Sequence, residues 1–178
     1  ITVSRTGYSF VAWYYDASLS RRVETTDTYD ATENMTVYAK YEEQNVSYKV
    51  VYYQYGLDSK TSTKVNEASL TAVADTTITV APADNYDGFT TPANKNVLVR
   101  ADGTTVVEFY YARIRYNIIL NTSTGITSID ASSTDSTLES IAGGYSAIYG
   151  ATINLSKVVK DGYTFTNFVL IENETETV

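Results

Sequence analysis

The ten residues GYSFVAWYYD, at positions 7–16, hold five aromatic side chains: Tyr8, Phe10, Trp13, Tyr14 and Tyr15. Further along the chain, residues 162–168 repeat the pattern as GYTFTNF, with Phe168 at the position of Trp13. A third glycine-aromatic element, GFTT, lies at residues 88–91. No cysteine or histidine stands near any of them, so this reuse indicates repeated architecture rather than a reactive centre.

The composition favours a folded, mainly β protein. Of the 178 residues, 43% are hydrophobic and 19% are charged, a balance that supports packed cores and does not suit a disordered chain. Seventeen Tyr and only two Pro, together with frequent Thr and Val, fit pleated sheets. We expect small β modules, with helix as a minor component.

The charges exclude two classes of partner. Thirteen basic against 21 acidic residues give a net charge of −8, so nucleic acid and anionic membrane surfaces are repelled. Neutral ligands and proteins remain. No apolar run reaches the 18 residues of a membrane span, and no secretory signal pattern opens the chain. We interpret the sequence as a segment of a longer protein.

The usual catalytic side chains are missing. The absence of Cys and His removes disulfides, thiol nucleophiles, thiolate metal sites and histidine proton transfer. We therefore expect no enzyme activity, no cofactor and no metal site. The acidic stretch at residues 84–88 lacks the ligand spacing of a calcium loop and is predicted to be a β-turn.

Self-comparison divides the chain into three modules. The elements GFTT and GYTF lie 74 residues apart, and within the similar segments 36–54 and 108–122 the tripeptides Tyr-Ala-Lys at 38–40 and Tyr-Ala-Arg at 111–113 are offset by 73. The predicted modules are residues 1–44, 45–114 and 115–178, with the first cut at its beginning and the third at its end. Joints without Pro- or Gly-rich linkers predict modules stacked end to end.

Local patterns predict the elements of these modules. Residues 48–55, YKVVYYQY, are apolar on both faces and predict a central strand. Asp102-Gly103 lies between two β-rich runs and predicts a hairpin within residues 96–114. Residues 135–145 predict a short capped helix, and residues 59–75 favour strands over a helix.

Residues 5–42 resemble the second half of a Listeria-Bacteroides repeat, the β-grasp-like module of internalin B-type surface repeats. GYSFVAWYYD is similar to the family pattern GYxFxGWYxD, Leu19 follows as its hydrophobic position, and NMTVYAKY is similar to its ending xxTLYAxW. Ala12 replaces the usual Gly, and Tyr41 replaces the closing Trp.

The other two modules carry resemblances of their own. Residues 46–113 resemble a mucin-binding-protein-like module, on YKVVYY at 48–53 and FYYAR at 109–113, and residues 116–170 resemble a divergent internalin-type repeat. Together these resemblances imply an extracellular, bacterial cell-surface repeat protein that serves as a stalk or adhesion module, with host glycan, mucin or protein as candidate partners. The alternative is an accessory, non-catalytic region of a secreted glycan-degrading enzyme.

The tyrosines are the candidate ligand contacts, because sugar rings stack on aromatic faces. Our candidates are Tyr14, Tyr15, Tyr53, Tyr55 and Tyr110. The competing interpretation is that they pair across strands and stabilise sheets. Tyr8, Phe10 and Trp13 are predicted to form the core of the first module. The cut modules also leave open sheet edges, which predict self-association.

Overall fold

The computed structural model describes residues 3–30, 32–82, 85–120 and 126–166. Within these residues the chain is all β, without helix, which confirms the mainly β class. Its strands are, in chain order, β1 (Tyr8–Tyr14), β2 (Tyr38–Glu43), β3 (Asn45–Tyr55), β4 (Ser62–Val73), β5 (Thr77–Val80), β6 (Phe89–Thr90), β7 (Lys95–Leu98), β8 (Val106–Arg113), β9 (Arg115–Ile119), β10 (Ile126–Ser132), β11 (Glu139–Ile141), β12 (Gly144–Ile148) and β13 (Asn154–Lys160).

The chain forms two compact units. The first contains the described residues of Ile1–Gln54, Ser62–Tyr86 and Thr90–Tyr111, and the second those of Tyr55–Thr61, Asp87–Phe89 and Ala112–Val178. The division into three modules at residues 44/45 and 114/115 stays a prediction.

Strands β1 and β2 form an antiparallel pair with a bulge between Phe10 and Ala12. The extra residue moves Phe10 and Trp13 to one face although they are three positions apart, and their ring centroids lie 5.6 Å from each other. Ala12 is the buried residue of β1, whereas Phe10 remains 41% exposed. The prediction of Phe10 as a core residue is therefore wrong, because its ring packs on Trp13 and Tyr41 at the exposed surface of a two-stranded sheet.

A four-stranded sheet has the order β4-β3-β8-β6, and its two central strands run parallel. Strand β3 is central, as its two apolar faces predicted. Alternate residues of the central pair fill the core, among them Val50 and Tyr52 from β3 and Val107, Phe109 and Tyr111 from β8.

The hairpin predicted at Asp102-Gly103 is wrong. Strand β7 pairs with β5, while β8 pairs with β3, so the two strands that flank this turn belong to different sheets. The turn itself is closed by a hydrogen bond from Gly103 N–H to the Arg100 carbonyl at 3.0 Å. Thr105 Oγ1 accepts from Arg100 N–H at 2.8 Å, so a side chain satisfies a backbone donor that a hairpin ladder would use.

The second unit contains the antiparallel sheet β11-β12-β9 and the pair β10-β13. The helix predicted at residues 135–145 is wrong, because β11 and β12 occupy this stretch. At Gly144 a Cβ would stand 2.0 Å from the carbonyl oxygen of Ile118, so β12 approaches β9 at a distance that only glycine permits. Residues 59–75 contain the single strand β4, in agreement with the preference for strand.

Candidate functional site

Two of the five candidate tyrosines come together on the central sheet. Tyr53 of β3 and Tyr110 of β8 are direct partners in the parallel ladder, and their rings stack with centroids 4.8 Å apart and planes 10° apart. Glu108 accepts hydrogen bonds from both hydroxyls, from Tyr53 at 3.4 Å and from Tyr110 at 3.0 Å. We call Tyr53, Glu108 and Tyr110 the tyrosine pair cluster. It is a cross-strand pair that also presents ring surface to solvent.

Charged side chains lie on the neighbouring strands. Glu67 of β4 forms ion pairs with Lys64 at 2.7 Å and with Lys49 of β3 at 3.6 Å. The hydrogen bond from Lys64 lowers the pKa of Glu67, and Glu67 in turn raises the pKa of Lys64. Glu67 and Lys64 are therefore charged at neutral pH, so the surface that contains the tyrosine pair cluster combines aromatic and ionic groups.

The other candidate tyrosines lie elsewhere. Tyr15 donates a hydrogen bond to Asp27 at 3.1 Å, and the Arg21 guanidinium lies 4.5 Å from its ring centre. Burial and the hydrogen bond to Asp27 raise the pKa of the Tyr15 hydroxyl. Tyr14 faces Tyr38 in the β1–β2 ladder. Tyr55 falls in the second unit.

The acidic stretch at residues 84–88 lies partly outside the described residues, which include its last four positions. Asp87 and Gly88 form a turn just before β6. Across the described ranges, no group of three or more acidic side chains is placed to hold a metal ion. The same part of the chain contains no helix long and apolar enough to span a membrane.

Sequence reasoning missed a second group of residues, which surrounds the single residue Gln44 between β2 and β3. Gln44 N–H donates to the carbonyl oxygen of Gly7 at 2.9 Å, and the Gln44 carbonyl accepts from Ala74 N–H at 2.9 Å. Gly7 packs directly on Ala101, because a Cβ built on Gly7 would stand 2.7 Å from the Ala101 Cβ and carbonyl oxygen. We call this arrangement the Gln44 joint.

The same arrangement recurs at Ile114, the single residue between β8 and β9. Ile114 N–H donates to the carbonyl of Gly88 at 2.8 Å, and the Ile114 carbonyl accepts from Tyr149 N–H at 2.8 Å. A Cβ built on Gly88 would stand 2.1 Å from Cδ1 of Tyr149. We call this the Ile114 joint. In both, a linking residue bonds to a glycine on one side and to a later strand-end residue on the other.

The glycines of the two joints have the same conformation. Gly7 has φ +76° and Gly88 has φ +78°, values that the third position of a type II turn requires and that disfavour any side chain. Each glycine precedes an aromatic residue that has a cation on its ring. The Arg5 guanidinium lies 3.6 Å from the Tyr8 ring centre, and that of Arg113 lies 4.9 Å from the Phe89 ring centre.

The Gln44 joint also contains a side-chain hydrogen bond. The Tyr8 hydroxyl donates to Asp75 Oδ2 at 2.7 Å, and this hydrogen bond raises the pKa of Tyr8. Asp75 follows Ala74, the residue that donates to the Gln44 carbonyl, so backbone and side chain hold the same turn. The module borders were predicted at these positions, but their contacts depend on Ala101 and Tyr149, which lie far along the chain from their glycines.

Comparison with known proteins adds one finding. Neither the curated proteins nor the solved structures contain a match to this chain. The mucin-binding-protein-like and internalin-type resemblances stay predictions. Residues 1–40 match the family model of the Listeria-Bacteroides repeat domain, and this match indicates a repeat region of a bacterial surface protein.

Proposed function

We propose that this chain is a non-catalytic stalk segment of a bacterial cell-surface protein, in which β repeats are joined in series with little freedom between them. The observation that carries the proposal is the recurrence of one joint at Gln44 and at Ile114. A flexible linker would leave the backbone groups of the linking residue to water. Here both backbone groups of each linking residue are bonded within the protein.

The stabilising chemistry fits such a role. With no Cys, each repeat must stabilise itself by packing, and aromatic rings supply large apolar areas in small modules. The glycine turns add close backbone approach at each joint, where a side chain would separate the packed surfaces. Packing of this kind stabilises each joint without disulfide bonds.

The stalk proposal is tested by the dynamics of the two linking amides. We expect the backbone amides of Gln44 and Ile114 to exchange with solvent as slowly as the flanking strand amides. Their NMR order parameters should be near the rigid-backbone value of about 0.85. Free exchange and order parameters below about 0.6 at both residues would contradict the proposal, because the repeats would then be linked flexibly.

A second candidate function is contact with host glycan or protein through the tyrosine pair cluster. Two adjacent rings at the sheet surface offer apolar area, and the Glu108 carboxylate beside their hydroxyls offers hydrogen-bond acceptance for a sugar hydroxyl. Tyr110 is 37% exposed, so part of its ring is available to a ligand. This function would add recognition to the stalk without changing the joints.

The test of recognition is binding to immobilised mucin and a glycan panel. We expect saturable binding by the natural chain and at least a tenfold loss in a variant carrying Tyr53→Ala and Tyr110→Ala. Tyr163→Ala is the matched control, because Tyr163 is 72% exposed and lies outside the cluster. No binding by the folded natural chain, or equal loss in the control, would remove the recognition function and leave the stalk.

A further inference from the structure

We propose that the turn formed by residues 160–163 is a third joint surface, and that its occupant is the following repeat of a tandem array. This inference rests on the proposed stalk function and extends it to a site that is open among the described residues. The turn holds the third glycine-aromatic element, in which Gly162 precedes Tyr163.

The geometry of this turn matches that of the occupied joints. Gly162 has φ +76°, as Gly7 does. Tyr163 N–H donates to the Lys160 carbonyl at 3.1 Å, as Tyr8 N–H donates to the Arg5 carbonyl at 3.0 Å. The Lys160 ammonium lies 4.3 Å from the centre of the Tyr163 ring, so the cation and ring of the Gln44 joint recur as well.

The difference lies in what covers the glycine. Gly7 and Gly88 each have a neighbouring turn so close that no Cβ fits, whereas none of the residues that the structure describes lies within 4 Å of a Cβ built on Gly162. Tyr163 is 72% exposed, while Tyr8 and Phe89 are half-buried in their joints. Among the described residues, the turn at 160–163 therefore has the shape of a joint without the contact that covers the glycine in the other two.

The two occupied joints define the chemistry of the occupant. In each, the glycine packs against the second residue of a β-turn: Ala101 in the turn closed between Arg100 and Gly103, and Tyr149 in the turn closed between Ile148 and Ala151. In each, the glycine carbonyl also accepts from the backbone N–H of the linking residue. A following repeat of this kind presents both a β-turn and the N–H of a linking residue. The β-turn covers Gly162, and the N–H donates to the Gly162 carbonyl.

The first arm of the test uses the full chain. Gly162→Ala is compared with Gly7→Ala and with Gly143→Ala in urea unfolding. Gly143 is the matched control, since it has φ +77° and no described atom within 4 Å of its Cβ position. We expect Gly162→Ala to lower the midpoint as Gly143→Ala does, and less than Gly7→Ala. A loss equal to that of Gly7→Ala would overturn the proposal, because the turn would already be covered.

The second arm uses an extended chain in which residues 1–165 are followed by residues 11–178. This splice keeps the natural Gly162 turn and places a second Gln44 at the linking position. We expect the amide of the second Gln44 to exchange at least tenfold more slowly than an unprotected amide. We also expect Gly162→Ala to lower the midpoint of the extended chain by more than it lowers that of the original.

Three results would overturn the inference. They are a freely exchanging second Gln44 amide, an effect of Gly162→Ala that is equal in both chains, and failure of the added copy to fold after the turn. Failure of the stalk proposal looks different, because it appears as free exchange at the first Gln44 and at Ile114 in the original chain. Protection there, with free exchange at the second Gln44, would leave the stalk and remove this inference alone.

Discussion

Gly88 and Tyr149 lie in such close contact that a Cβ on the glycine would stand 2.1 Å from Cδ1 of the tyrosine ring. The Tyr149 ring cannot move aside without losing its edge contact with the Phe89 ring, whose centroid lies 6.0 Å away. The glycine also has φ +78°, so the backbone and the neighbour independently exclude a side chain. The Ile114 joint thus depends on the match between one residue without a side chain and one large ring.

The first prediction is that removal of the ring partly rescues a substitution at the glycine. Gly88→Ala should lower the free energy of unfolding by about 2–4 kcal/mol, from positive-φ strain and overpacking together. In a Tyr149→Ala background the same change should cost only the strain, about 1–2 kcal/mol. Urea unfolding of the four chains gives the coupling energy. Additive effects would show that the ring does not limit the site.

The second prediction is that Gly7 tolerates substitution even less well, because its neighbour is backbone. A Cβ on Gly7 would stand 2.7 Å from the carbonyl oxygen of Ala101, which has no side-chain rotation to relieve the clash. We expect Gly7→Ala to lower the free energy of unfolding by about 3 kcal/mol or more. Ala101→Gly should rescue little of it. Full recovery in the double variant would assign the clash to the Ala101 Cβ instead.

The third prediction concerns Tyr53 and Tyr110. A double-mutant cycle with Tyr53→Leu and Tyr110→Leu should give a coupling energy of about 1 kcal/mol, as stacked rings contribute beyond their buried area. Tyr110→Phe is the control, because it keeps the ring and removes the hydroxyl that donates to Glu108. A coupling of similar size in a Tyr53→Leu and Tyr110→Phe cycle would mean that the carboxylate, not the stack, joins the two residues.

Sequence reasoning predicted the parts of this fold that depend on local pattern. Strand β3 is apolar on both faces, which only a central strand can bury, and the glycine-aromatic elements stood out because the same pair of residue types recurs three times along the chain. The predicted hairpin at Asp102-Gly103 was wrong because an Asp-Gly pair also occurs in tight turns that do not join paired strands. Strand β8 pairs with β3 rather than with β7. Which strand β8 pairs with depends on tertiary packing, and the residues of the turn do not determine it.

The joints show the same limit on prediction. The repeat offsets predict borders beside Gln44 and Ile114, and this division stays a prediction, whereas the residues packed against Gly7 and Gly88 could not be predicted from the sequence. Ala101 and Tyr149 lie far along the chain from those glycines, and they are different types of residue. What they share is the second position of a β-turn, which exists only once the strands have paired. The tyrosine pair cluster likewise depends on the parallel register of β3 and β8.

The fourth prediction is that Arg113 cannot be replaced by lysine. Its Nε donates to the Tyr55 carbonyl at 2.9 Å, its Nη1 donates to the Tyr149 carbonyl at 2.9 Å, and its guanidinium lies over the Phe89 ring. Lysine keeps the charge but lacks the planar guanidinium, whose separate N–H groups reach both carbonyls. Arg113→Lys should therefore lower the free energy of unfolding by about 1–2 kcal/mol. Arg100→Lys is the control, because the Arg100 side chain is 67% exposed. Equal effects would show that charge alone matters.

The fifth prediction is an acid dependence that originates at Asp16. Its carboxylate accepts from the Ser18 hydroxyl, from Ser20 N–H at 3.0 Å and from Arg21 N–H at 2.8 Å. These bonds, the one from Ser18 first, hold the pKa of Asp16 well below its ordinary value. Because the folded pKa lies below the unfolded one, the carboxylate stabilises the fold fully above about pH 4. That stabilisation is lost as the pH falls through the folded pKa.

The substitution Asp16→Asn isolates this contribution, because it keeps the shape of the side chain and removes its titration. We expect the natural chain to lose more of its thermal stability between about pH 5 and pH 2 than the Asp16→Asn variant loses, measured by thermal unfolding at each pH. The Ser18→Ala variant should fall between them, since it lacks the largest cause of the depressed pKa and keeps the backbone donors in place. Parallel pH profiles for all three chains would show that the acid sensitivity originates at other carboxylates, such as Asp58 or Asp135, whose pKa values are also lowered by hydrogen bonds.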